Sequence, residues 1–378
     1  MVKMLRIAGV LIALGALLGP LSASEPSGNE HSTAEAPGQS IREEKPAILE
    51  VRRSRRAKVV FSEGRRRAWF EDAELGWGKL TLTVGEAHID TAEGIAELSA
   101  GVTLTGPDFT VTSERCVADS HGAELSFPGT LEARSAKEGL ALRAGQGQFY
   151  YLPDTGQPYK AVLAGGVEVN WESGASIEAP QMVYRFEPRM LELTEGFQGK
   201  LKGALVMPAR QELAEQTVQL RGKTLFAQLR GPQEAPESIT LTGSEVSAET
   251  ESVQFSGPTL AARVDLPAGG KPGDRMELAC LAVSGSVTAP VTGSWPREDG
   301  KRVHFSAIKV EKPTSDPALN LEGAVHLSSD EFDLSASAIE LRGEDGQLRV
   351  EIPERFRMDF RREFIEALTE APSAQRES

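Results

Sequence analysis

The sequence predicts an all-β protein: an elongated β-jelly roll, or a solenoid-like stack of antiparallel strands, as one long unit or two consecutive ones. Three observations predict it. First, Leu319, Leu321, Gly323, Val325 and Leu327 alternate with Asn320, Glu322, Ala324 and His326; after a polar tip, Ser328 to Glu331, Phe332, Leu334 and Ala336 take up the alternation again. Period two places all the apolar side chains on one face of a strand. Second, a segment of small residues followed by valine recurs along the chain. Third, helical patterns are scarce, while 37 glycines supply turns and bends. Aromatic residues make up only 6% of the chain, so the core rests on Leu, Val, Ile and Ala.

Met1 to Ser24 has Lys3 and Arg6 ahead of an apolar run from Ile7 to Leu18, then Ser22-Ala23-Ser24 where a peptidase would cut. These are the parts of a secretory signal peptide, exporting the chain to a periplasm. An uncleaved inner-membrane anchor is the alternative, although the run is short for a span of about 20 residues. Glu25 to Ser40 has almost no apolar content and reads as a disordered linker.

Residues 41–69 form a basic segment in an acidic chain of formal net charge -14. Arg52, Arg53, Arg55, Arg56, Arg65, Arg66 and Arg67 are candidates for contact with an anionic partner such as lipid phosphates. The same charges would also protect an edge strand, Ala57 to Phe61, from unwanted pairing. The overall acidity argues against nucleic acid as a partner. Beyond the basic segment, Leu80, Leu82 and Val84 alternate up to Gly85, where a turn is expected. His88 and Asp90 share a strand face, but no third ligand lies near them, so no metal site is expected.

The recurring segments are Ala100-Gly101-Val102, Gly165-Gly166-Val167 and Gly323-Ala324-Val325, each followed by a second alternating run. Weaker copies are Gly129-Thr130-Leu131, Gly196-Phe197, Gly243 to Val246 and Gly285-Ser286-Val287. The spacing of roughly 30 to 50 residues leaves room for two to four strands between anchors. The glycine before the valine marks a bend or a close backbone approach. Residues 70–360 form the repeated β region, with a candidate hinge at Leu266 to Gly273. Ala209 to Val218 reads as a short surface helix or a loop, and residues 361–378 as a C-terminal helix and tail.

Cys116 and Cys280 are too few for a disulfide framework and lack a CxxC partner; they read as two buried thiols, with a single bridge left open. There is no GxSxG, HExxH, Walker loop or dinucleotide fingerprint. His304 and His326 sit in strand patterns as outward or satisfied side chains. Trp77, Trp171 and Trp295 lie near turns, where they would cap the ends of an apolar core. The expectation is a non-enzymatic protein with no cofactor. A carbohydrate-active β-helix would need clustered carboxylates on one face.

Ala164 to Tyr184, AGGVEVNWESGASIEAPQMVY, and Leu321 to Leu341 resemble the OstA-like lipopolysaccharide-transport family, the LptA- and LptC-like periplasmic β-jelly rolls. The resemblance implies an apolar slot that binds or passes lipopolysaccharide or a related amphipathic glycolipid. It also implies end-to-end joining, through edge strands, to other β-jelly-roll transport proteins, in the service of outer-membrane biogenesis. On this reading the slot is lined by Val102, Leu104, Phe109, Val111, Val167, Val169, Ile177, Val183, Leu321, Val325, Leu327, Phe332 and Leu334. The alternative is a structural or adhesive β-solenoid that self-associates through its edges, with these residues packed on one another.

Overall fold

The computed structural model describes residues 49–62, 65–77, 80–106, 109–135, 139–152, 158–171, 176–202, 217–230, 238–249, 254–265, 277–297, 300–312, 319–344, 347–353 and 355–360. The leader, the linker, the candidate hinge and the C-terminal segment lie outside them, as does most of Ala209 to Val218. Among the described residues there are 27 strands and no helix. The chain forms two compact units. The N-terminal unit runs to Gly165 and includes Tyr184–Glu187; the C-terminal unit is Gly166–Val183 together with the chain from Pro188 onward.

In the N-terminal unit β1 (Leu49–Arg53) and β2 (Arg56–Ser62) both pair with β3 (Arg65–Trp77), each along a different half of it. β3 pairs along its length with β4 (Leu80–Asp90), and β4 with β5 (Ile95–Thr105). β5 then divides its partners again. Its second half pairs with β6 (Thr110–Ser113) and its first half with β7 (Cys116–Asp119). From there the halves form two separate runs. β7 is followed by β8 (Glu124–Phe127), β11 (Gln146–Tyr151) and β12 (Pro158–Trp171); β6 is followed by β9 (Leu131–Ser135) and β10 (Leu140–Ala144). Long strands bent at mid-length thus serve two sheets, the arrangement in which bulges turn a strand through a corner.

Each sheet carries an inward ladder that follows directly from the alternation. One ladder runs Ala68, Ile89, Ala96, Ala118, Leu125, Phe149, Ala161. The other runs Leu75, Leu82, Leu104, Val111, Ala133, Leu142. All thirteen side chains are buried, and each Leu, Ile, Val or Phe withdrawn from water in this way contributes about 1.5–3 kcal/mol.

The C-terminal unit repeats the plan. β13 (Ser176–Arg185) pairs with β15 (Phe197–Lys202), β15 with β16 (Thr217–Gly222), and β14 (Met190–Leu193) with β17 (Thr224–Arg230). β16 and β17 share β18 (Ser238–Glu249), which pairs along its length with β19 (Gln254–Asp265). β20 (Glu277–Ser284) and β21 (Val291–Pro296) share β19. β20 pairs on with β23 (Lys309–Lys312) and β21 with β22 (Arg302–Ala307), and β22 and β23 share β24 (Leu319–Ser328). β25 (Phe332–Glu344) pairs with β24, then with β26 (Gln347–Glu351) and β27 (Phe356–Phe360). One unbroken register runs Ile177, Gly199, Leu220, Ala248, Phe255, Gly293, Phe305, Leu327, Leu334, Met358.

The recurring motif is the corner. Ala100 and Gly101 have φ of 59° and 88°, Gly165 and Gly166 78° and 83°, and Gly323 and Ala324 75° and 50°. The valine after each pair, Val102, Val167 or Val325, is 1% exposed. Two consecutive left-handed residues swing the strand into the next sheet, and the valine is the first inward side chain there. Glu195-Gly196 before Phe197, and Glu245 before Val246, follow the same rule. Gly85 lies within β4 as a bulge, with no reversal of the chain. At Gly285 the motif departs from its reading: Val287 is 77% exposed in the connection from β20 to β21, and Val291 is the buried residue. The Ser328–Glu331 tip closes the β24–β25 hairpin as read from sequence, with Ser329 Oγ accepting the backbone N–H of Glu331 and of Phe332.

Corners also stack on corners. In the N-terminal unit a Cβ on Gly145 would lie 2.6 Å from the Gly165 carbonyl oxygen, and one on Gly85 would lie 2.6 Å from that of Ala100. In the C-terminal unit the N–H of Gly196 donates to Lys223, that of Lys223 to Ser244, that of Gly285 to Ile308, and that of Ile308 to Gly323. Gly101 separates backbone strain from crowding, because a Cβ there meets nothing within 4 Å. Gly101→Ala should therefore lower stability by about 1–2 kcal/mol in urea titration through its positive φ alone. Gly129→Ala, equally open but without a positive φ, should change it by less than about 0.5 kcal/mol.

Candidate functional site

Eleven of the thirteen slot residues face inward and are buried. Val102, Leu104, Phe109 and Val111 do so in the N-terminal unit; Val167, Val169, Ile177, Leu321, Val325, Leu327 and Leu334 do so in the C-terminal unit. None is more than 5% exposed. Phe332 is half-buried. Val183 is also half-buried and lies on the opposite face: Ile177 and Ala179 point inward, then Met182 and Tyr184 do. A one-residue slip in β13, across Pro180-Gln181, changes which residues point inward, and a slip of one moves every later side chain to the other face.

At these positions the interior is filled by its own side chains. A Cβ on Gly147 would lie 2.4 Å from Leu131 of the opposite sheet, one on Gly257 2.4 Å from Val283, and one on Gly293 2.2 Å from the Phe305 ring. Glycines are used where the facing side chain already occupies the space. Trp77 and Trp295 are buried as core caps, while the Trp171 side chain lies outside the description. Cys116 and Cys280 are free thiols, and burial pushes the Cys116 thiol up to about 12.

The apolar faces are uncovered at the edges. Among the described residues β1 and β2 pair only with β3, and β26 and β27 only with β25. Val51 extends the Leu75 ladder, and Val59 extends the Ala68 ladder; both valines are exposed, and Phe61, next on the face of Val59, is 70% exposed. On β27, Phe356 and Phe360 flank Met358 at the end of the long C-terminal register and are 55% and 50% exposed. Val350 on β26 is exposed as well.

The basic segment is largely neutralised within its own sheet. Arg53 meets Glu74 at 2.8 Å, Arg55 meets Asp72 at 2.8 Å, and Arg56 meets Glu71 at 3.3 Å. Arg65 meets Glu93 at 3.3 Å and Arg67 meets Asp90 at 3.1 Å, while Arg52 pairs with Glu50 at 2.7 Å. Arg66 lies over the Phe61 ring, and Lys58 over Trp69, which stacks on His88 at 4.8 Å. The run is basic in sequence, yet antiparallel pairing sets β3 and β4 carboxylates against it. His88 and Asp90 are thus engaged with Trp69 and Arg67.

Sequence reading passed over one cluster in the N-terminal unit. Trp77 ends β3 on one sheet and Tyr151 ends β11 on the other; their rings meet edge to face with centroids 5.7 Å apart. Trp77 Nε1 and Tyr151 Oη are buried with no hydrogen-bond partner among the described residues, each at a cost of about 1–3 kcal/mol. The Tyr151 hydroxyl is pushed upward in pKa by burial and, secondarily, by the neighbouring Cys116. A period-two pattern reports that Tyr151 points inward but not that its hydroxyl lacks a partner.

These features define an antiparallel all-β protein of corner-bent, two-sheet units with apolar edge strands. No family model matches the chain, and no curated protein matches it. Among solved structures it is similar to LptH from Pseudomonas aeruginosa, described as the LptA-homologous periplasmic component of the lipopolysaccharide transport device. Identity is 12%, the match covers 40% of this chain and 97% of that one, and the TM-score is 0.27. Likeness at that level transfers neither a site nor an activity.

Asp90 yields a pH prediction. Desolvation raises its pKa, but the backbone N–H groups of Glu93 and Ala92 and the Arg67 guanidinium outweigh that and hold it below the ordinary value of 3.8. Its ionised form therefore stabilises the fold above the unfolded-state pKa, and that contribution is lost as pH falls through the folded-state value. The difference in urea midpoint between wild type and Asp90→Asn should shrink as pH is lowered from about 6 to about 3.

Proposed function

We propose that this is a non-enzymatic, exported β protein that binds or passes an amphipathic glycolipid of the lipopolysaccharide class, and that it meets other β-jelly-roll proteins through its edge strands. The observation that carries this reading is the uncovered apolar face at both edges. Val59 and Phe61 prolong the inward face of the N-terminal unit, and Phe356 and Phe360 that of the C-terminal unit. Acyl chains need such a surface, and so does strand addition by a partner. The apolar leader supports export. Contact between the basic segment and lipid phosphates is a weaker part of the proposal, because most of its arginines already face carboxylates.

The test is photo-crosslinking in a lipopolysaccharide-bearing host. Photo-reactive residues at Phe61 and Phe356 should label lipid A, whereas one at the exposed, outward-facing His304 should not. An absence of label at both edge positions, with no lipid extracted from the purified chain, would remove the lipid reading.

The filled interior favours a second reading, self-association through the edges without lipid. Under it, sedimentation should show oligomers that grow with concentration and are lost in both Phe61→Lys and Phe356→Lys. Charged residues on an edge oppose strand addition.

A further inference from the structure

The Trp77–Tyr151 contact is unlike the rest of the interior. The inward ladders described above carry only apolar side chains and glycine. Here two polar atoms from opposite sheets, an indole N–H and a phenol hydroxyl, are carried on fully buried rings that touch each other. Both residues stand at strand ends far from the corner, Trp77 five residues beyond Asp72 and Tyr151 six beyond Gly145. They therefore close the space between the sheets at its rim. Burying unpaired polar groups penalises the closed arrangement, so a ligand that supplies a partner for both is favoured at this rim.

The chemistry narrows the ligand. The indole N–H only donates, and the phenol can donate or accept. A single oxygen with two lone pairs takes both donors. An oxygen carried on a hydrocarbon chain would also suit the apolar side chains of the ladders on either side. An acyl ester or amide carbonyl meets these conditions; an alkyl ether of the same chain is a much poorer acceptor.

We propose that Trp77 and Tyr151 form a polar anchor at the rim of the N-terminal unit, parting to admit an acyl chain and donating Nε1–H and Oη–H to its ester or amide carbonyl. The inference rests on the lipid-binding reading above and adds to it the chemical group that is recognised.

The test compares two probes on the full chain by calorimetric titration below their micellar concentrations: palmitoyl lysophosphatidylcholine and its hexadecyl ether analogue. Wild type should bind the ester about ten-fold more tightly than the ether, the worth of a hydrogen bond or two. Trp77→Phe and Tyr151→Phe should each reduce that ratio to about three-fold or less, with the urea midpoint of each variant reporting that it folds. Tyr151→Phe removes a single oxygen and carries the test alone if Trp77→Phe does not fold. Equal binding of ester and ether by wild type, the result for a pair that merely holds an internal water, overturns the anchor and leaves lipid binding standing. A ratio that survives both substitutions also overturns it. Binding of neither probe overturns the anchor and the lipid reading together.

Discussion

The geometry of the corners governs both units. A strand that must serve two sheets has to change direction without losing its hydrogen bonds, and in this chain it does so through one or two residues at positive φ. Because L side chains resist that region, the three clearest corners use Gly and Ala, and so leave a trace in the sequence, whereas Asp72, Glu195 and Glu245 take the same conformation without one. The next residue is the first to face inward in the new sheet, which explains why it is so regularly valine. Stacked corners then accept no added bulk, as the 2.6 Å approach of a Gly145 Cβ to the Gly165 carbonyl shows.

The strands themselves were legible, because period-two alternation is a local property and every inward ladder is built from it. The Leu319 to Leu341 stretch is a hairpin with its tip where the pattern breaks. The anchors at Val102, Val167 and Val325 were legible as bends but not as the places where one sheet hands over to another, since that depends on which strand pairs with each half. Val183 was misassigned because a one-residue slip leaves no mark in composition. Val287 was misassigned because a glycine and a valine in a connection look the same as those at a corner.

The candidate site was less legible, for reasons of the same kind. Inward direction can be read from a strand, but whether the space beyond is open or filled depends on the opposite sheet. Gly147 shows the difference: it reads as a weak strand position and is a socket for Leu131 of the opposite sheet. Charge behaved similarly. Arg53, Arg55 and Arg67 read as a basic run, and their carboxylate partners lie one strand away in space but distant in sequence. The unpartnered hydroxyl of Tyr151 is a property of what surrounds it and has no local signature.

Long strands shared between pairs of short ones have a further consequence. Each strand touches mainly its neighbours in the chain, so every module of one long strand and two half-length partners presents to the next module the same kind of surface that it receives. Such a design is extensible. A module gained by duplication, or lost by deletion, leaves the two surfaces on either side able to join. The same plan accordingly serves in both units.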